Sequence, residues 1–134
     1  MADFPALPDE TIMFRAVLEK SWKTKDGKLK WQTFKRRCRD KDGVSLFTTV
    51  DSATKELTRP FFGMASVHIG RVRQASTETD SIDVIQDAET HANITGIPYI
   101  YDKPEDEQIL LNDKMIFLCR RILEKEAATL LLDD

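Results

Sequence analysis

The spacing of the apolar residues changes at Pro104, and this change constrains the fold more than any other feature of the sequence. Beyond it, apolar side chains recur every three or four positions, as in an amphipathic helix, at Ile109, Met115 or Ile116, Cys119, Leu123 and Leu130. Pro104 suits a first helical turn, and the acidic residues 105–107 complement the positive end of the helix dipole. The pattern predicts one long helix over residues 104–130.

Before Pro104, short alternating runs are separated by turn signals. "TIMFRAVLEKSW" is typical of a strand, and its more apolar register, Ile12, Phe14 and Ala16, is predicted to face the core. The Asp-Gly pairs at 26–27 and 42–43 indicate hairpin turns, since glycine adopts positive φ readily. Further strands are predicted in "VSLFTT", "GMASVHIGRVRQ" and "SIDVIQDA", and a short helix in "DSATKELTRP" that Pro60 ends.

Together these segments predict a single α+β domain over residues 1–134. Residues 1–10 form an N-terminal arm, and five or six short, mostly antiparallel strands form a sheet with one short middle helix and the long C-terminal helix on one face. The length and the balance of 41% hydrophobic and 32% charged residues are those of a globular domain. Because we find neither a signal-peptide pattern nor an apolar run of about 18 residues, we expect a soluble, cytoplasmic protein with no membrane partner.

The charge is divided along the chain, with a net +8 over residues 20–41 and −9 over residues 76–113. The basic segment interleaves Trp22, Trp31 and Phe34 with cations, as a nucleic-acid surface does. The predicted anion or nucleic-acid contacts are Lys30, Trp31, Lys35, Arg36, Arg37 and Arg39. Two alternatives stay open: a solvated hairpin whose aromatic residues belong to the core, and a docking patch for an acidic protein.

The acidic segment offers one weak candidate for metal binding. If it is extended, Asp87, Glu89 and His91 share a face at period two and could hold a divalent ion, although a turn-capping role for His91 is the simpler interpretation. The chain has no serine elbow, Cys-His signature or glycine-rich phosphate loop. We therefore predict no metal and no cofactor.

Two short motifs carry a resemblance to a known superfamily. "FRAV" on the first strand and "DGVSLFTT" on a later one are similar in outline to the ADP-ribosyltransferase-like superfamily. The resemblance implies that Arg15 contacts a phosphate and that Ser45 lies beneath a nicotinamide, with Glu78 or Glu89 serving as the late glutamate. With His68 or His91 as the acid–base group, these residues are the catalytic candidates of an enzyme hypothesis.

A broader likeness extends over most of the chain. "FR" near the start, "DG-S" in the middle and "HANITGIP" before the final helix resemble a group of small uncharacterised bacterial proteins. This resemblance implies a bacterial single-domain protein and no particular activity.

The leading hypothesis is an accessory protein that acts through protein contacts. It rests on the missing catalytic signatures, the separated charges and a long amphipathic helix able to bury a partner or a second copy of the chain. The alternatives are an enzyme acting on a nucleotide or phosphorylated substrate, and nucleic-acid binding through residues 20–41.

Overall fold

The computed structural model describes residues 4–55, 57 and 61–133. Six strands form one antiparallel sheet in the order β4-β5-β2-β1-β3-β6. The strands are β1 (Ile12–Ala16), β2 (Val44–Phe47), β3 (Gly63–His68), β4 (Asp83–Ala88), β5 (His91–Thr95) and β6 (Ala128–Asp133). The helices are α1 (Val50–Lys55), α2 (Ile69–Arg73) and α3 (Glu105–Glu124), with 3-10 helices at Lys20–Trp22 and Trp31–Phe34. The predicted α+β class is confirmed.

The long helix α3 covers one face of the sheet, as the sequence predicts. Its fully buried residues are Met115, Leu118, Cys119 and Ile122. They belong to the main core cluster, together with Val44, Leu46, Val67 and Ile94 from the strands.

The predicted register of β1 is wrong. Met13 lies in the main core cluster, and Arg15, two residues further on, points to the same face. Phe14 and Ala16 instead belong to a second, smaller cluster with Ala53 of α1, whereas Ile12 is 44% exposed. Since both faces of the strand are covered, the more apolar register alone does not identify the main core.

Two predicted elements end earlier than expected. The strand predicted in "GMASVHIGRVRQ" ends at His68, whose Nδ1 accepts a hydrogen bond from the Arg71 amide (3.3 Å) and caps α2. The helix predicted over 104–130 ends at Glu124, and residues 128–133 pair with β3 as strand β6. Its middle leucine, Leu131, is 53% exposed.

Both Asp-Gly pairs lie at turns, but neither turn joins two neighbouring strands as a hairpin, since a 3-10 helix and a loop precede the second one. Gly27 and Gly43 have φ of 82° and 137°. Residues beside the first turn form the two 3-10 helices and a single bridge, Lys23 to Leu29, rather than a hairpin of strands. Pro60, predicted to end the middle helix, lies outside the described residues. Within the described ranges, none of the helices is long and apolar enough to cross a membrane.

Candidate anion-binding cleft

A concave site lies in the excursion that the chain makes between β1 and β2. We call it the Trp22 cleft. Its volume is about 480 Å³, and its lining residues are Glu19, Ser21, Trp22, Gln32, Lys35, Arg37, Cys38 and Arg39. All eight belong to one continuous stretch of 21 residues, so the local fold of this segment determines the shape of the site.

Backbone and side-chain hydrogen bonds hold the two 3-10 helices together. The Trp22 carbonyl accepts from the Lys30 amide (2.7 Å) and from the Thr33 hydroxyl (3.2 Å). Both bonds close the loop around the Asp26-Gly27 turn, where Gly27 takes the positive φ that the turn requires. Trp22 and Gln32 are thereby brought to one wall of the cleft.

Two guanidinium groups lie over the indole of Trp22. The Arg15 Cζ is 5.3 Å and the Arg37 Cζ 5.8 Å from the ring centroid, both within the range of cation–π attraction. Trp22 itself is only 4% exposed. Its ring therefore supports the arginines and is not available as a stacking surface for a base.

Arg15 is a buried brace beneath this arrangement. Its Nε donates to the Thr33 carbonyl (2.6 Å) and its Nη1 to the Ser45 carbonyl (2.8 Å), so one side chain joins β1, the second 3-10 helix and β2. Burial, and next the neighbouring Arg37, lowers the pKa of Arg15 to about 10, so the group is charged at neutral pH. Its Nη2 is buried without a hydrogen-bond partner.

Asp40 fixes the position of Arg37. Its carboxylate is 5% exposed and accepts from the Arg37 amide (2.8 Å), from Nε (3.0 Å) and from Nη2 (3.3 Å). A guanidinium that is already held by two hydrogen bonds to a carboxylate loses little further conformational entropy when it binds a ligand. Arg37 is therefore preorganised at the wall of the cleft.

The lining of the cleft is cationic. Lys35, Arg37 and Arg39 outnumber the one carboxylate, Glu19, and neither Lys35 nor Arg39 has an ion-pair partner among the residues that the structure describes. The Oε1 of Gln32 is buried and unpaired within the same residues. Since buried polar atoms are nearly always hydrogen-bonded, Gln32 indicates an incomplete polar site.

Three predicted contacts of the basic segment lie elsewhere. Arg36 donates to the carbonyls of Asp40, Lys41 and Ile97 and lies over the Tyr99 ring (5.0 Å), which makes it a structural link between two loops. Trp31 packs against the main core cluster. Lys30 is exposed and does not line the cleft.

The catalytic candidates are not brought together. Ser45, His68 and His91 lie on the sheet face opposite Arg15, since β1 pairs Phe14 with Phe47 and Ile12 with His68, and Phe47 pairs with His91. Only the backbone carbonyl of Ser45 reaches Arg15. His68 caps α2. Neither His68 nor His91 lines the Trp22 cleft.

His91 belongs to a small polar network on that other face. Asp87 Oδ1 lies 2.6 Å from His91 Nδ1, and Asp87 Oδ2 accepts from Asn93 Nδ2 (2.9 Å). Glu89, the third weak metal candidate, is exposed and forms neither a hydrogen bond nor an ion pair with these described residues. Among the described residues, no group of three or more metal-ligating side chains occurs.

Sequence reasoning missed several residues that shape the site, chiefly Gln32 and Asp40. The i, i+3 spacing of Arg37 and Asp40 was a usable signal for an ion pair. No local pattern indicates Gln32, because its burial depends on packing between the two 3-10 helices.

Comparison of the chain with protein-family models, curated proteins and solved structures finds no match. The resemblances to the ADP-ribosyltransferase-like superfamily and to small bacterial proteins therefore stay predictions. Function must be inferred from the geometry of the chain itself.

Proposed function

We propose that this protein binds a phosphorylated small molecule in the Trp22 cleft. The observation that carries the proposal is Arg37, held by the buried carboxylate of Asp40 at the wall of a cleft whose other cations, Lys35 and Arg39, have no ion-pair partner among the described residues. Asp40 accepts from Nε and Nη2 of Arg37, which leaves Nη1 in a fixed orientation to donate to a phosphate oxygen. The net positive charge of the lining favours an anion.

The size and shape of the cleft favour a small ligand over a nucleic acid. A volume of about 480 Å³ is in the range of small-molecule sites. Single-stranded nucleic acids usually stack their bases on exposed aromatic rings, but Trp22 is 4% and Phe34 0% exposed, and Trp31 packs against the core. The basic segment therefore supplies phosphate contacts without a base-stacking platform.

Binding should be tested with three simple probes: pyrophosphate, ADP and glucose 6-phosphate. We expect saturable binding of at least one by calorimetry, with affinity that falls as salt increases. Lys35→Gln and Arg39→Gln should each weaken binding about tenfold, since a hydrogen bond to a charged group contributes on the order of 1.5 kcal/mol. Lys30→Gln is the matched control, because Lys30 belongs to the same basic run but does not line the cleft.

Cys38 gives a second readout. It is exposed and lines the cleft, whereas Cys119 is buried and burial raises the pKa of its thiol to about 12. A bound probe should therefore slow labelling of Cys38 in the native protein.

The proposal is wrong if no probe binds, or if Lys30→Gln weakens binding as much as Lys35→Gln. Steeply salt-dependent binding of single-stranded DNA that requires Lys30 would assign the whole basic run to nucleic acid instead.

A further inference from the structure

The outer face of α3 carries an apolar ridge that the described part of the chain leaves largely exposed, although the Arg121 Cζ lies 5.9 Å from the Phe117 ring centroid. Ile109, Leu110 and Phe117 are 64%, 73% and 55% exposed, although the same helix buries four other residues completely against the sheet. Leu110 and Phe117 are two helical turns apart and so lie on one face. We call these three residues the α3 ridge.

The three ridge residues form a group on one side of the helix, unlike isolated apolar side chains on a protein surface. A helix that packs on one side normally presents polar residues on the other, and α3 does so at Asp106, Asp113 and Arg120. The ridge interrupts this polar face with three large side chains on one outward side of a single helix. Grouped apolar side chains of this kind mark contact surfaces.

The charges around the ridge indicate which partner covers it. Asp106 and Arg120 lie equally far from Asp113 in sequence, on the same outward face, and neither has an ion-pair partner within the described residues. The ridge residues Ile109 and Phe117 are likewise equally far from Asp113. The outward face is thus self-complementary when it is reversed end to end.

We propose that a second copy of this chain covers the α3 ridge, so that the protein forms a two-fold dimer through antiparallel α3 helices. With the axis near Asp113, Asp106 of each copy lies beside Arg120 of the second copy, and Ile109 lies across from Phe117. Asp113 of each copy is close to the axis, and the neighbouring Lys114 stays bound to Asp80 of its own chain (2.9 Å). A parallel arrangement would set Asp106 against Asp106 and is disfavoured.

The small size of the ridge sets the expected affinity. Three apolar side chains from each copy fall well short of a standard interface, so association should be weak and depend on concentration. Sedimentation velocity from about 5 to about 500 µM brackets dissociation constants in the micromolar range. The proposal does not depend on ligand binding, since the Trp22 cleft shares no residue with α3.

The first experiment removes the apolar contact. We expect the native chain to change from monomer to dimer over this concentration range, and the double variant Leu110→Glu/Phe117→Glu to stay monomeric. Ile85→Glu is the matched control, because Ile85 is 50% exposed but lies on β4. Its dimerisation should be unchanged. Circular dichroism establishes that each variant is folded, which these exposed positions permit.

The second experiment tests the antiparallel arrangement. Asp106→Arg and Arg120→Asp should each raise the dissociation constant at least tenfold, because each places like charges together twice per dimer. An equimolar mixture of the two variants should recover the native affinity, since the mixed dimer has opposite charges at both positions, one pair in the native orientation and one reversed. A chain that is monomeric throughout, a dimer that survives the ridge substitutions, or a mixture that does not recover would each overturn the proposal.

Discussion

At the scale of single residues, the fold depends on a charged group in an unusual place. Arg15 is 3% exposed, and its two hydrogen-bond partners are carbonyl oxygens rather than carboxylates. Such a group is costly to bury unless its donors are satisfied. Its role is to hold the basic segment against β1 and β2 beneath the Trp22 cleft.

Replacement of Arg15 should therefore destabilise the protein even when charge or volume is kept. Arg15→Lys keeps the charge but loses the planar guanidinium that reaches both carbonyls, and Arg15→Met leaves the two buried carbonyls without this donor. We expect either substitution to lower the free energy of unfolding by about 2–4 kcal/mol. The free energy of unfolding in urea measures this. Arg39→Met, an exposed arginine, should change it by less than about 0.5 kcal/mol. An unchanged midpoint for Arg15→Lys would contradict the bracing role.

At the scale of elements, the end of α3 is set by one backbone conformation. Glu126 has φ of 55°, and its amide donates to the Leu123 carbonyl (2.9 Å) while the Ala127 amide donates to the Ile122 carbonyl (3.3 Å). These are the two bonds of a Schellman motif. The chain reverses here, and this frees residues 128–133 to join the sheet.

Glycine should suit this position better than glutamate. The left-handed conformation costs a non-glycine residue roughly 1–2 kcal/mol. Glycine removes this cost, but its greater conformational entropy in the unfolded chain offsets part of the gain. We expect Glu126→Gly to stabilise the protein by about 0.5–1 kcal/mol in thermal unfolding. The contrasting variant is Glu124→Gly, which lies in the helix and should destabilise by about 1 kcal/mol. Equal effects of the two variants would argue against the motif.

At the scale of the whole molecule, residues 4–10 of the N-terminal arm are part of the packed structure. The Arg73 guanidinium donates to the Leu7 carbonyl (2.6 Å) and to carboxylate oxygens of Asp9 and Asp83 (both 2.7 Å). The hydrogen bond to Asp83 is the main cause of the raised pKa of Arg73. The Gly70 amide donates to the Asp9 carbonyl at 2.8 Å, so the arm runs directly over α2.

The close approach at Gly70 makes a specific prediction. A Cβ at this position would lie 2.7 Å from the Asp9 carbonyl oxygen, which is closer than van der Waals contact allows. Gly70→Ala should therefore cost about 2 kcal/mol in urea unfolding, by displacing the arm. In a chain lacking residues 1–10, which is less stable from the outset, the same substitution should cost little. An additive loss in both backgrounds would show that the arm is not the cause.

The sequence predicted the basic contacts of the Trp22 cleft in part, but not the cleft itself. The basic segment and its arginines are visible in the sequence, and Arg37, Lys35 and Arg39 do line the cleft. Arg36 is also an arginine and is adjacent to Arg37 in the sequence, yet its guanidinium donates to three backbone carbonyls and not toward the cleft. Which arginine lines the cleft is decided by the 3-10 helices and by contacts with residues 97–99, which are distant in sequence.

The sequence by itself determined the α+β class, the positions of both Asp-Gly turns, most strand locations and the start of α3, since periodicity, glycine conformation and helix-terminal charge are local properties. Tertiary structure alone decided the face of β1 that meets the main core, the end of α3 at Glu124 and the conversion of the last apolar run into β6. It also separated Arg15 from both histidines. These outcomes depend on which surfaces meet, because a segment that is apolar on both sides has no local preference, and only the packing energy of the assembled sheet selects one.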